Sequence, residues 1–360
     1  MIIIFTNNTI NISSSINNYK IDFINSFINQ LNLEIKAKSF IIIDSNIYKL
    51  YFSNNKINLT DNNFLIIKAN EKNKSIDKCK GIFRALVKNK VRRNQRIIAV
   101  GGGIIQDITA FTASTYLRGI EWCFFPTTLL SQADSCIGGK TSINLGGSKN
   151  IIGNFYPPKE IYLDPNFLKT LSKDDIKSGI GEIFHFYFYA NSKLIQDLIN
   201  EYDNLLDNPR KIIRYIEESL KIKKSVIEID EFDRGERNKF NYGHTFGHAI
   251  ETTTNYKIRH GLAVTVGMDI ANFISQKIGL IDSKTYESMK SILSINFPNY
   301  AWSNFDKNLF FKALSVDKKN EGNNLGCILT KGWGKLVKQS LPMDNELKKM
   351  ITNYFDKEIK

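Results

Sequence analysis

The sequence predicts an α/β protein, with an N-terminal lobe built on a parallel sheet and a C-terminal, mainly α-helical lobe. Through the first half, short β-branched or aromatic runs alternate with longer amphipathic stretches, the pattern of strands joined by crossover helices. One of those runs, Ile97–Val100, leads directly into Gly101-Gly102-Gly103 and a helix-compatible segment. From about residue 170 the texture changes, and apolar residues recur at three- and four-residue spacing. A chain of 360 residues, at about 150 per domain, accommodates two domains, divided here into 1–170 and 171–360.

Taken in order, strands are expected over Ile2–Thr6, Ser39–Asp44, Phe64–Lys68, Arg96–Val100 and Trp122–Phe125. Each is dominated by residues that fit a pleated, buried surface. Amphipathic helices are expected over Ile21–Leu31 and Ser75–Lys90. Residues 7–18 are rich in Asn and Ser without forming a linker. Ser172–Gly179 opens a helical region, Leu194–Lys224 reads as helices, and residues 243–280 are another long helical candidate.

Composition narrows the function classes. The hydrophobic fraction is 42% and the charged fraction 24%, which excludes wholesale disorder, collagen and a pure coiled coil. The net charge of +13 suits nucleic acid, an anionic membrane, a small anionic substrate, or simply a lysine-rich solvated surface. With no aromatic-interleaved basic stripe, helix-turn-helix pattern or zinc-finger spacing, the reading is against nucleic acid. Cys79, Cys123, Cys136 and Cys327 are scattered, so neither a disulfide framework nor a thiolate zinc site is indicated. The N-terminal apolar run has no basic region before it, and no stretch approaches the roughly 18 apolar residues of a membrane helix. A cytoplasmic protein with no membrane association is expected.

Two groups of residues carry chemistry. A strand, glycines and a helix N-terminus let backbone N–H groups approach a pyrophosphate. Gln106 stands where the dinucleotide fingerprint needs a third glycine. Alone, the turn fits a phosphate cradle or a structural bend equally. The chain also has four histidines, His185, His244, His248 and His260, which share one window with Glu182. His244 and His248 would occupy one helical face, as would Glu182 and His185. One carboxylate with two imidazoles and an open position is a catalytic zinc set. Spacing alone makes His248 as good a ligand as His244. Gly138-Gly139-Lys140 and Ser148-Lys149-Asn150 put cations and an amide on glycine-rich loops suited to phosphate or carboxylate. Asp317-Lys318-Lys319 precedes another turn.

Together these motifs, with Tyr116-Leu117-Arg118-Gly119, Pro126-Thr127-Thr128-Leu129-Leu130, Asp134-Ser135-Cys136-Ile137-Gly138-Gly139-Lys140 and Asn241-Tyr242-Gly243-His244-Thr245-Phe246-Gly247-His248, resemble the 3-dehydroquinate synthase family of sugar phosphate cyclases. The resemblance runs from Asp44 to Lys319. It implies a Rossmann-like N-terminal lobe, a helical C-terminal lobe, NAD and one divalent metal, usually zinc, with cobalt an alternative. It implies Glu182, His244 and His260 as metal ligands, with His248 facing the substrate phosphate instead. Asp44, Asn46, Glu71, Lys74, Gly101, Gly102, Gly103, Asp107, Thr127, Thr128 and Lys149 match NAD positions. Asp134, Lys140, Asn150, Lys223, Arg237, Asn241 and one of Lys318 or Lys319 match substrate positions. Arg118 resembles an arginine that reaches a neighbouring subunit's site, implying a homodimer.

The implied reaction turns 3-deoxy-D-arabino-heptulosonate 7-phosphate into 3-dehydroquinate and phosphate by oxidation, elimination, reduction and intramolecular aldol closure. Three positions depart from the resemblance. His185 stands where a lysine is usual, as a substrate contact or a fourth ligand. Leu262 replaces an acidic residue after His260-Gly261, and Gln106 replaces a glycine beside the cofactor. These departures admit a sister cyclase acting on another sugar phosphate, such as sedoheptulose 7-phosphate, as the alternative. A metal-dependent NAD polyol dehydrogenase is the next rival. Lys223 and Arg237 resemble the pair that holds a substrate carboxylate, which favours the heptulosonate.

Overall fold

The computed structural model describes residues 8–36, 39–52, 59, 63–146, 148–316, 320 and 322–359. The strand expected over Ile2–Thr6 lies outside these residues, as do Lys318 and Lys319. Two compact units are present: residues 1–171 with 209–213 and 223–232, and residues 172–208 with 214–222 and 233–360.

The first unit is built on a seven-stranded sheet. Its strands are β1 (Thr9–Ile12), β2 (Tyr19–Phe23), β3 (Phe40–Asp44), β4 (Phe64–Ile67), β5 (Ile97–Gly101), β6 (Trp122–Pro126) and β9 (Glu160–Leu163), in the order β1-β2-β9-β6-β5-β3-β4. Every pairing is parallel except β1 with β2. β3, β5 and β6 are buried along their whole length, which is why each reads as an unbroken apolar run. Ile41, Ile43, Ile98, Val100, Cys123 and Phe125 pack in one cluster with Phe27 and Leu31 of helix α1 (Phe27–Lys36).

The expected helix over Ile21–Leu31 is corrected here. Tyr19, Ile21 and Phe23 are buried while Lys20 and Asp22 are not, a two-residue period that makes this a strand. The helix starts only at Phe27, whose backbone N–H donates to Asp164 Oδ2 at 2.8 Å. After β3 come the single turn α2 (Ser45–Ile47) and β4 on one side; α3 (Ile76–Lys88) then leads to β5 on the other side of β3. This reversal is the switch point at which open α/β sheets bind ligands beyond the strands' carboxyl ends. The ends that meet there are Asp44 and Gly101. Helix α4 (Gly103–Thr115) follows β5 at once, and a small hairpin, β7 (Ile143–Leu145) and β8 (Ser148–Ile152), precedes β9.

The second unit is mainly helical: α5 (Lys173–Ala190), α6 (Leu194–Asn200), α7 (Tyr202–Asp207), most of α8 (Ile213–Ile227), α9 (His244–Thr253), α10 (His260–Lys277), α11 (Ser283–Leu293), α12 (Lys307–Ser315) and α13 (Asn345–Asn353). The candidate helix over 243–280 is two helices, with α9 ending at Thr253. A hairpin that the sequence reading missed, β10 (Asn324–Thr330) and β11 (Leu336–Pro342), also belongs to this unit. Helix α5 starts on a reciprocal cap between Ser172 and Asp175. Helix α10 is buried at every residue from Gly261 to Ser275, the sign of a central helix. All four cysteines are buried thiols, with no disulfide among them. Among the described residues, no helix is long and apolar enough to cross a membrane.

Candidate functional site

In the helical unit, three elements each deliver one candidate ligand. Glu182 comes from the middle of α5, while His244 and His260 are the first residues of α9 and α10. Close backbone approach makes this possible. A Cβ on Gly261 would sit 1.7 Å from Ser178 O, so only glycine lets α10 start against α5, and Gly261 N donates to Ser178 Oγ at 3.0 Å. Gly243 sets the other entry angle, with φ +78 and a hypothetical Cβ 2.7 Å from Val264 O.

The ligand atoms of Glu182, His244 and His260 lie within 4.8 Å of one another. His260 Nε2 is 3.3 Å from Glu182 Oε1, and His244 Nε2 is 3.8 Å from Glu182 Oε2. The outer nitrogens are tied off: His244 Nδ1 is 3.2 Å from Tyr242 O, and His260 Nδ1 is 3.0 Å from Glu251 Oε2. A carbonyl and a carboxylate only accept, so each Nδ1 carries a proton, and in the neutral ring Nε2 is the atom left to coordinate. Glu182 is 1% exposed, and its Oε1 has no aligned hydrogen-bond donor. Burial pulls His260 toward its neutral form, yet Glu251 and Glu182 hold its pKa well above the ordinary histidine value. The pocket therefore calls for positive charge. A buried carboxylate and two inward imidazole nitrogens fit a divalent ion of the zinc type.

Glu251 was missed by the sequence reading. It lies on α9 three residues after His248 and seven after His244, so helical periodicity carried the signal. It orients His260, the carboxylate–histidine pairing that metal sites use. With His248 and His260 it also forms a second group of converging donors. His248 is exposed and stacks on His260, with ring centroids 5.6 Å apart. His185 is buried beside Glu182 and His244. Its Nδ1 is 3.9 Å from Glu182 Oε2, and its ring packs on Phe186, Phe240 and His244. Arg237, buried, and Asn241 share the short helix Glu236–Asn241.

In the sheet unit, Gly102 precedes α4 with no side-chain cap, which leaves first-turn N–H groups for a ligand. Thr128 packs on it: a Cβ on Gly102 would lie 3.0 Å from Thr128 Cγ2. Thr127 N donates to Gly101 O at 3.0 Å. At the end of β3, Asp44 accepts from Asn46 N at 3.1 Å.

Beside α4 is a polar cluster. Lys74 Nζ reaches Asp107 Oδ2 at 2.5 Å and Asn150 Oδ1 at 2.7 Å, and Ser142 Oγ, with one proton to donate, lies 3.2 Å from Asp107 Oδ2 and 2.8 Å from Asn150 Oδ1. Burial pushes the Asp107 pKa up, and Lys74 opposes that shift without cancelling it. Glu71 joins through Asn144, whose Nδ2 donates to Glu71 Oε1 at 2.7 Å and whose Oδ1 accepts from Asn150 N at 2.9 Å. Asn150 sits at φ +53. Lys140 and Lys149 are exposed. Lys223 Nζ donates to Asp134 O at 2.7 Å and to Asp134 Oδ1 at 2.9 Å. Arg118 is exposed in a left-handed turn with Leu117 and Gly119. Each unit thus gathers its own share of the predicted residues. Ser142 and Asn144, which connect the sheet unit's cluster, had no sequence signal beyond lying between two glycine-rich loops.

The chain is similar to known proteins over most of its length. The family model described as 3-dehydroquinate synthase N-terminal matches residues 64–178, and the one described as 3-dehydroquinate synthase C-terminal matches residues 179–320. A 3-dehydroquinate synthase of Clostridium tetani (strain Massachusetts / E88) is 38% identical over 321 residues, 85% of each chain. A solved 2-deoxy-scyllo-inosose synthase, complexed with carbaglucose-6-phosphate, NAD+ and Co2+, superposes with TM-score 0.83 at 23% identity, covering 97% of this chain and 99% of that one. The 2-epi-5-epi-valiolone synthase of Streptomyces hygroscopicus subsp. jinggangensis 5008, with NAD+ and Zn2+ bound, gives TM-score 0.80 at 21% identity, covering 94% and 97%.

Proposed function

The chain belongs to the 3-dehydroquinate synthase family, and from that premise we propose that it converts 3-deoxy-D-arabino-heptulosonate 7-phosphate into 3-dehydroquinate and phosphate. The observation that carries the reading is the trio Glu182, His244 and His260, whose ligand atoms lie within 4.8 Å of one another while both Nδ1 nitrogens are engaged elsewhere. When bound there, a divalent ion such as zinc or cobalt polarises a substrate oxygen, and NAD accepts and returns a hydride.

The chain's own residues do the remaining work. First-turn N–H groups of α4, after Gly101, Gly102 and Gly103, hold a pyrophosphate, with Asp44, Asn46, Glu71, Lys74, Asp107, Thr127, Thr128 and Lys149 fixing the rest of the nucleotide. Lys140, Asn150, Asp134, Lys223, Arg237, Asn241 and His248 are the groups suited to the phosphate, carboxylate and hydroxyls of the sugar acid. His185 touches the substrate near the metal. Buried cations at Lys223 and Arg237 support a substrate with a carboxylate as well as a phosphate. The same reading assigns nucleotide binding to residues 1–170 and metal and substrate binding to 171–360. It makes the protein a cytoplasmic homodimer, with exposed Arg118 serving the partner's site.

The test is phosphate release by zinc-loaded protein with NAD, offered 3-deoxy-D-arabino-heptulosonate 7-phosphate, sedoheptulose 7-phosphate or glucose 6-phosphate. Release from the first alone is expected. Release from either of the others would make the chain a sister cyclase.

A further inference from the structure

We propose that Gln106 is a positioning residue that locks helix α4 to the turn carrying Asp134, and through it to Lys223. The proposal rests on the reading of Asp134 and Lys223 as substrate-binding groups. Gln106 lies in α4 beside Asp107 and is 5% exposed. Its side chain makes a reciprocal pair of bonds with one residue: Nε2 donates to Ser135 O at 2.6 Å, and Ser135 Oγ donates to Oε1 at 2.7 Å. Two bonds to one residue fix rotation as well as distance, and burial removes the water that would compete for them.

Ser135 directly follows Asp134, whose carbonyl and carboxylate both accept from Lys223. Thr128 Oγ1 and Ser131 Oγ pair at the start of this turn, and Gln132 Nε2 donates to Pro126 O and Asp164 O. The Gln106 pair runs instead to the helix whose N-terminus is offered to the nucleotide. A buried glutamine also gives up side-chain freedom that a small apolar residue would not, a cost offset only if both bonds hold. The position of α4 is thereby imposed on Asp134 and Lys223, and a nucleotide that settles α4 settles them too.

The experiment measures phosphate release for Gln106→Ala, Ser135→Ala and the double variant, with NAD affinity determined separately without sugar phosphate. KM for the sugar phosphate is expected to rise about tenfold in Gln106→Ala and about threefold in Ser135→Ala. The double variant should be no worse than Gln106→Ala, because the two changes remove one interaction. kcat and NAD affinity should stay within about twofold of the parent. A passive packing role would lower stability and leave this KM unchanged. An unchanged KM, or multiplying effects, overturns the proposal. If Gln106→Ala does not fold, Ser135→Ala, which keeps the carbonyl bond, decides the matter. A parent that releases phosphate from no sugar phosphate overturns the functional reading and this proposal together; an active parent with unmoved KM values overturns only the latter.

Discussion

In the helical unit, Glu182, His244 and His260 turn their ligand atoms toward one another while Tyr242 and Glu251 hold the histidines from outside. In the sheet unit, Lys74, Asp107, Ser142 and Asn150 also converge, but donors meet acceptors and satisfy each other. The first cluster has coordinating capacity left over, and its geometry is fixed by helix starts packed backbone to backbone. In the second cluster the carboxylate of Asp107 and the amide oxygen of Asn150 are already engaged by Lys74 and Ser142. A ligand that draws Lys74 away from either acceptor must replace that partner, so such binding is coupled to local rearrangement.

The sharpest way to break this contrast is to remove a ligand. Glu182→Ala and His260→Ala should each lower metal affinity by more than about 100-fold and abolish turnover, since two donors cannot replace three. Metal content by mass spectrometry, measured alongside phosphate release, checks both. A metal-replete, active variant would mean that the cluster is not the centre. Nearly as large an effect is expected from Gly261→Ala. Its new methyl meets Ser178 O at 1.7 Å, so α10 must leave α5, at a cost above about 3 kcal/mol. Loss of soluble protein or a large fall in Tm is the expected result.

Glu251→Gln tests whether the outer shell matters. An amide still accepts from His260 Nδ1 but no longer makes the ring more basic, and metal affinity should fall about 10-fold to 100-fold, a range typical of such partners. Competition with a chromophoric chelator measures it. On the sheet side, Lys74→Met should spare metal content and weaken NAD binding about tenfold. It also strips Asp107 of its cation. Burial already raises the Asp107 pKa, so the folded state holds a proton that the unfolded chain has released above the ordinary carboxylate range. Stability is then present at low pH and lost as pH rises through the raised value. The Tm deficit of Lys74→Met should accordingly be larger at pH 8 than at pH 5; an equal deficit would show that Lys74 does not govern Asp107.

The same contrast explains what could be read from the sequence. Residues acting through their immediate neighbours were legible. The β5–Gly102–α4 turn, the runs of β3 and β6 and the His244–His248 face all follow from local spacing. Partnerships across the chain were not. Glu182 meets His260 only because Gly181 and Gly261 admit two helix backbones into contact, and periodicity does not report which helices touch. Spacing also made His248 as good a ligand as His244. The structure gives them different surroundings: His244 lies against Tyr242 O and Glu182, whereas His248 converges with Glu251 and His260. The strand at Tyr19–Phe23 was misread because its alternation is short and runs into α1. The β10–β11 hairpin was missed although Gly332 and Gly334 mark its turn.

His185 gives the smallest expected effect and the finest test of the contrast. It departs from the residue that the resemblance leads one to expect, and it sits at the border of the metal cluster, buried among Phe186, Phe240 and His244. Its nearest approach to the carboxylate, 3.9 Å from Nδ1 to Glu182 Oε2, is longer than a hydrogen bond, and its ring is gripped by aromatic edges that resist reorientation. His185→Ala should therefore keep a full equivalent of metal, with affinity changed less than about threefold, while the sugar-phosphate KM rises. Cobalt-loaded protein offers an independent readout, because the visible spectrum reports ligand number and geometry, and it should be the same in parent and variant. A variant that loses metal, or whose cobalt spectrum changes, would make His185 a ligand. The cluster would then have four protein donors rather than three, and the position left for substrate would have to be found by displacing one of them.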